Sequence, residues 1–349
     1  MIPYRTKRLL TQLLATFLVL ILVIVGVALV WFIWLSRYVV FTRDGVKLDF
    51  SLSGEFAPGV APVPPGTVPT VNIHFNEENQ QPEQAGQLTR FSGYTVTAQE
   101  LIDDFSTVSQ QLLALPEGST VALQVKDIEG YFFYDSSLGR QHWQVEISKM
   151  EELISALREK GHYLIARMAA FQDKYYFLDD EKAHVPFGLA KDGGNGSLWK
   201  DTKYEDGKSC YWFNPDSEGT VSYLIQLILE LRLKGFDEVL LEDFRFPNTS
   251  MIRFDGDQQK ALDEAAATLV KACATDTFTL SFGCRDTKLT LPEGRVRLYL
   301  QNAAAADIVV LAGQVTLTDP AAQLGFLTEL HDTRFDEYCV LRPLSAAQE

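Results

Sequence analysis

The chain has 349 residues, 46% of them hydrophobic, enough for one large core or two modest ones. Asp and Glu outnumber Lys and Arg by 46 to 31, a net charge of −15. This balance argues against nucleic acid as a partner, because phosphate binding wants clustered cations. The four cysteines, Cys210, Cys273, Cys284 and Cys339, form no C-x-x-C pair, which argues against a zinc site and leaves both disulfides and buried thiols open.

The first predicted element is apolar. Arg5, Lys7 and Arg8 precede an uncharged run from Leu9 to Leu35 that closes on Trp31 and Trp34. A helix needs ~20 apolar residues to cross a bilayer, and indole rings favour its interface. A cleaved signal peptide has a shorter apolar region of ~7–15 residues and a small-residue cleavage site. The run therefore predicts an uncleaved single-pass anchor. The basic cluster before it places the N-terminus in the cytoplasm and the bulk of the chain outside, at the cell membrane.

Tyr38–Phe50 reads as a small hairpin around Asp44-Gly45. The Pro- and Gly-rich stretch after Gly54 reads as a linker. The expected organisation is thus a tail and anchor over 1–37, a juxtamembrane hairpin and linker over 38–89, and one globular domain over 90–349.

In that domain strands and helices alternate. Strands are predicted at "FSGYTVT", "STVALQVKD", "HYLIARMAAF", "DEVLLED", "TFTLSFG", "ADIVVLAG" (306–313) and "EYCVLRP". Thr97 and Glu100 spell a capping box that opens one helix, and Ser148 and Glu151 spell another. Gly161 and Gly235 mark helix ends, Asn214-Pro215 marks a helix start, and a further helix is expected from about Asp257 to Ala274. This alternation implies parallel βαβ units. With no G-x-G-x-x-G or Walker-type loop after any strand, the pattern favours an α/β TIM-type (β/α) barrel over a nucleotide-binding open sheet.

In such a barrel the groups at strand ends share one mouth. The strand ends carry Lys126-Asp127, then Arg167 with Asp173 after it, then Glu242-Asp243-Phe244-Arg245, then Arg285-Asp286. Paired carboxylates among arginines and aromatics suit glycoside hydrolysis. That chemistry needs a general acid and a second carboxylate, ~5–5.5 Å apart for retention or ~6.5–9.5 Å for inversion. Tyr131, Trp199, Tyr211 and Trp212 are candidates to stack on sugar rings. The plain alternative is that Lys126–Asp127 and Arg245–Glu242 are ion pairs that close the barrel. His142, His162, His184 and His331 show no H-x-x-x-H spacing, which argues against a metal-dependent deacetylase. No cofactor or metal is expected.

The stretches "VALQVKDIEGYFFYDS", "HYLIARMAAFQD", "WFNPD" and "LKGFDEVLLEDFRFP" together resemble the "Putative glycosyl hydrolase domain" family of membrane-anchored or secreted bacterial proteins. The resemblance covers about Ser92 to Pro247. It implies a TIM-type barrel that acts on, or binds, carbohydrate. By position it carries over Lys126, Asp127, Gly130, Arg167, Asp173, Trp212, Asn214, Pro215, Glu242, Arg245 and Pro247. It casts Asp127 as acid or substrate ligand and Glu242 as nucleophile or base. Asp243 would be a third site acid or a cap, with Lys126, Arg167, Asp173, Trp212, Asn214 and Arg245 binding substrate. Two positions depart from the family: its Asp is Glu242 here, and its Tyr is Asp243. A longer side chain shifts a carboxylate by more than ~1 Å, enough to lose ~100-fold in catalysis. The C-terminal part departs further, since the 309–320 region lacks the family's Tyr and His. The expected domain is therefore a barrel with an incomplete or irregular last βα unit, its gap covered by the hairpin near Asp44. Its function is expected to be glycoside hydrolysis of an envelope or environmental glycan. The alternative is a degenerate barrel that only binds cell-wall carbohydrate.

Overall fold

A computed structural model describes residues 39–42, 45–48, 88–174, 200–201, 210–249 and 252–345. The predicted membrane segment (9–35), most of the linker and Trp199 lie outside the described residues. The chain divides into two units, 1–78 and 79–349. In the first, Val39–Thr42 pairs antiparallel with Gly45–Leu48, with Thr42 opposite Gly45, as the hairpin pattern predicts. Among the described residues no helix is long and apolar enough to cross a membrane.

The second unit is a closed parallel barrel of eight strands: β1 Ser92–Val96, β2 Thr120–Lys126, β3 Tyr163–Ala169, β4 Glu238–Glu242, β5 Thr279–Cys284, β6 Val296–Gln301, β7 Leu324–Leu327 and β8 Cys339–Pro343. Each pairs with the next, and β8 returns to β1 through Val340 opposite Ser92. Around it run α1 Ala98–Ala114, α2 Ile147–Glu159, α3 Glu218–Lys234, α4 Gln258–Cys273, α5 Ile308–Gln314 and α6 Pro320–Gln323.

Strand alternation builds two cores. Val121, Leu123, Leu164, Ala166, Val239, Leu241, Leu280, Phe282, Leu298 and Leu300 face outward and bury against the helices. Each fully buried Val, Leu or Phe side chain among them contributes about 1.5–3 kcal/mol. Ala122, Ile165, Leu240, Tyr299, Cys339 and Leu341 fill the lumen. A Cβ on Gly325 would stand 2.4 Å from the Tyr299 ring, so glycine at that place is what lets the ring lie across the lumen.

The floor of the barrel is charged. Glu238 and Arg297 pair there, and both are almost fully buried. Ser281 and the Tyr163 hydroxyl also donate to Glu238. Arg297 donates from Nε to the Ala322 carbonyl (2.8 Å) and from Nη2 to the Thr89 carbonyl (3.1 Å), and its guanidinium lies over Phe91. Burial disfavours the Arg297 charge, but the Glu238 carboxylate together with Tyr299, Tyr163 and Cys339 offsets it and holds the pKa above the ordinary range.

Several local expectations hold. Thr97 and Glu100 form the full capping box of α1. The chain reverses at Gly161 after α2, and Gly235 caps α3. The helix expected from about Asp257 to Ala274 runs Gln258–Cys273, and the structure adds that Asp257 caps it through the amides of Gln259 and Lys260.

Others are corrected. The helix that Ser148 and Glu151 were expected to open starts at Ile147; Glu146 is its N-cap and makes no side-chain cap bond. Asn214-Pro215 forms a turn, and α3 starts at Glu218. The apolar run 306–313, read as a strand, is a 3-10 turn followed by α5, with Ile308 buried and Val309 and Val310 exposed. The sixth strand is instead Val296–Gln301, and Leu324–Leu327 supplies a seventh. No strand is missing, so the hairpin near Asp44 is not needed to close the barrel. The irregularity lies in the late helices: α5 has seven residues and α6 four, and only a 3-10 turn, Thr333–Glu337, separates β7 from β8. Cys273, Cys284 and Cys339 are free and buried. Burial pushes the Cys273 and Cys284 thiols up to about 12.

Candidate active site at the barrel mouth

The C-terminal end of the lumen is polar where the middle is apolar. Arg167 and Glu242 point inward from adjacent strands, β3 and β4. Arg167 donates from Nε (3.1 Å) and Nη2 (2.8 Å) to the same oxygen, Glu242 Oε1. Glu242 Oε2 stays outside this pair, and the Glu242 side chain keeps 15% of its surface exposed. Arg167 Nη1 is buried with no hydrogen-bond partner among the described residues. A neighbouring Gly283 keeps the wall beside Glu242 thin: an added Cβ would approach the Glu242 Cα to 3.2 Å.

Asp243 leaves the strand alternation. Its φ of 49° is left-handed, a conformation Asp tolerates better than most residues. This turn sets the carboxylate against two guanidiniums. Arg245 Nε lies 3.2 Å and Arg285 Nε 3.1 Å from Asp243 Oδ1, and Gln172 Nε2 reaches Oδ2 at 3.4 Å. Burial pushes the Asp243 pKa up, but Arg245, Arg285 and the hydrogen bonds outweigh it and hold the group below its ordinary value of 3.8.

The remaining sequence-selected residues divide by role. A bulge between Gln124 and Lys126 brings Lys126 into register with Met168, a residue of the outer layer. Lys126 is consequently sealed between barrel and helices, paired with Asp173 at 3.1 Å and donating to the Gln172 carbonyl at 2.9 Å. Asp173 also accepts from the Tyr223 hydroxyl of α3. Gly130, at φ +91°, lies where a Cβ would stand 2.2 Å from Asp173 Oδ1. Lys126 and Asp173, expected to bind substrate, thus form a buried pair instead. Asp127 accepts the Glu129 and Tyr131 amides (3.0 and 2.9 Å) and so holds the turn that Gly130 makes. Trp212 is fully buried, and the Arg245 guanidinium lies 4.8 Å from its ring. It serves as the floor under an arginine and has no free face for a sugar. Asn214 accepts the Asp216 amide in the turn before α3.

The mouth therefore brings together Arg167, Glu242, Asp243 and Arg245, with Gln172 and Arg285 that the site expectation did not include. Arg285 was visible as a strand-end cation. Gln172 carried no signal beyond its place beside Asp173. Among the described residues no group of three or more His, Cys, Asp or Glu side chains is placed to hold a metal ion.

An eight-stranded parallel barrel with an Arg–Glu pair and an Asp–Arg cluster at its C-terminal mouth defines the class: a (β/α) barrel with its polar site where such barrels carry their chemistry. Residues 92–278, more than half of the chain, match the profile of the family described as "Putative glycosyl hydrolase domain", and the chain belongs to that family. Among curated proteins no sequence matches. Similar solved structures include a hypothetical protein of Ruminiclostridium thermocellum (19% identity, TM-score 0.41, 54% of this chain and 96% of that one). Others are a cycloisomaltooligosaccharide glucanotransferase of Paenibacillus (10%, 0.45, 68% and 38%) and an α-galactosidase of Thermus thermophilus (12%, 0.46, 75% and 59%). The chain thus spans less than two thirds of the length of either enzyme.

Proposed function

We propose that this chain is a membrane-anchored, extracytoplasmic glycosyl hydrolase-like barrel that takes a cell-envelope or environmental glycan at its C-terminal mouth. Glu242 is the carboxylate on which hydrolysis depends. The observation that carries this reading is the geometry of Glu242: at the lumen end of β4, oriented by Arg167 through one oxygen, with the other oxygen outside the pair. Family membership supports the carbohydrate class, and the uncharged run 9–35 behind a basic cluster supports the anchor.

A second reading, binding without turnover, is favoured by a specific observation. Asp127 is engaged by backbone amides and Asp243 by two guanidiniums, so neither is placed as the protonated partner that hydrolysis requires. One experiment separates the two. The full chain in detergent is incubated with peptidoglycan fragments and common polysaccharides beside Glu242→Gln. Release of reducing ends that disappears in the variant, with binding retained, establishes hydrolysis by Glu242. Binding without release establishes the second reading. Release that survives the substitution would overturn the assignment.

A further inference from the structure

Beside the lumen, on the outer flank of the loops after β4 and β5, lies a cavity of ≈ 380 Å³. Its volume falls in the range of ~300–1,000 Å³ typical of small-molecule sites. Its charged wall consists of Arg245, Arg285, Lys288 and Asp286, with Asn248, Gln258 and Gln259 among its neutral polar groups.

The cations are not equivalent. Lys288 is balanced by Asp286 at 3.1 Å. Among the described residues Arg245 and Arg285 share a single carboxylate, Asp243, so two cations face one acid at the cavity, in a chain whose net charge is −15. Each arginine is also held in place while keeping donors to spare. Arg245 spends Nε on Asp243 and Nη1 on the Phe246 carbonyl (3.1 Å), and its plane rests over the Trp212 ring. Its Nη2 has no hydrogen-bond partner among the described residues. Arg285 spends Nε and Nη2 on Asp243, keeps Nη1 unengaged among the described residues, and remains 52% exposed. A guanidinium carries five N–H donors in a rigid fork matched to carboxylate and phosphate oxygens. Two such forks, pinned by one shared acid and walled by three amides, form a pre-organised anion receptor with hydrogen-bonding groups for neighbouring hydroxyls.

We infer that this cavity binds an anionic substituent of the glycan, a carboxylate or phosphate carried on a sugar or polyol, and selects acidic over neutral polymers. The inference rests on the carbohydrate reading above and adds the substrate's charge. Lys288 and Asp286 form the rim, and Arg245 and Arg285 the receptor. Asp243 acts through the arginines as a positioning residue.

The test is calorimetric titration of the full chain in detergent with tetragalacturonate, its methyl ester, glycerol phosphate and free glucuronate, beside Arg285→Gln. The expected result is that the acid binds at least about tenfold more tightly than the ester, the worth of one charge-assisted hydrogen bond. Added salt and Arg285→Gln should both erase that preference. A parallel preference for glycerol phosphate over glucuronate would mark phosphate as the natural group, and the reverse would mark carboxylate; either upholds the receptor. Equal binding of acid and ester overturns the receptor and leaves the carbohydrate reading intact. If no oligosaccharide binds but the small anions do, and Arg285→Gln abolishes this, the receptor stands and the carbohydrate reading falls. If nothing anionic binds, the receptor is wrong.

Discussion

The two ends of the barrel use the same pair of side chains, arginine and a carboxylate, for opposite purposes. At the floor, Arg297 and Glu238 are 2% and 0% exposed, and every strong donor and acceptor of the pair is matched by Ser281, Tyr163, Thr89 or Ala322. At the mouth, Arg167 and Glu242 are partly exposed, and among the described residues one carboxylate oxygen is uncommitted and Arg167 Nη1 is unmatched. A buried ion pair that is fully satisfied fixes a structure, while one left incomplete is ready to meet a ligand. Which end is which follows from completeness of the hydrogen bonding, not from the residue types.

Substitutions can break this contrast. The largest effect is expected at the floor: Arg297→Met strands Glu238 in the lumen and should cost about 3–5 kcal/mol in a urea or thermal melt. Adding Glu238→Leu to the same chain should recover part of that loss, because the stranded charge is gone. Next, Gly325→Ala drives a methyl into the Tyr299 ring and should cost about 1–3 kcal/mol, the usual penalty of overpacking. Glu242→Gln should change stability by only about 1 kcal/mol, since the amide oxygen can still accept from Arg167. Any loss of glycan processing in that variant would then reflect chemistry and not unfolding. A melt of Glu242→Gln as damaged as that of Arg297→Met would show that the mouth pair is structural too.

The smallest effect is a pH dependence. Asp243 has a folded pKa below 3.8, so its contribution to stability is whole above that value and is lost as pH falls through the lower folded value. Wild type and Asp243→Asn should therefore differ by a constant amount in melts from pH 5 to 8. The difference should shrink below about pH 4. A difference that instead grows on acidification would contradict the two-arginine clamp.

Much of the fold was legible locally. Thr97 with Glu100, Gly161, Gly235 and Asp257 act within a few residues of themselves, so the bonds they make are written in their spacing. The apolar outer faces of β2, β3, β4 and β5 were legible for the same reason, since burial against helices selects hydrophobic side chains. β6 was not, because its Arg297 faces inward and its countercharge, Glu238, lies 59 residues earlier in the chain. The run at 306–313 was misread because β-branched residues suit a strand, and nothing nearby reveals that Val309 and Val310 stay in solvent on a short helix. At the site, Glu242 and Arg167 were legible as strand-end residues. Lys126 was displaced by a bulge, and Trp212 was covered by Arg245.

By itself the sequence determined the alternation of strands and helices, the caps that bound them, the uncharged run before the domain, and the strand ends where acids and cations gather. Those features depend on local backbone chemistry and on the period of hydrophobic residues. Only the tertiary structure decided that the barrel closes with eight strands, that Lys126 and Asp173 are sealed outside the lumen, and that Asp243 pairs with two arginines apart from the Arg167–Glu242 pair. Each of these depends on which distant group a charge meets when it is removed from water. That partner is set by strand register and by one left-handed residue, Asp243, after β4.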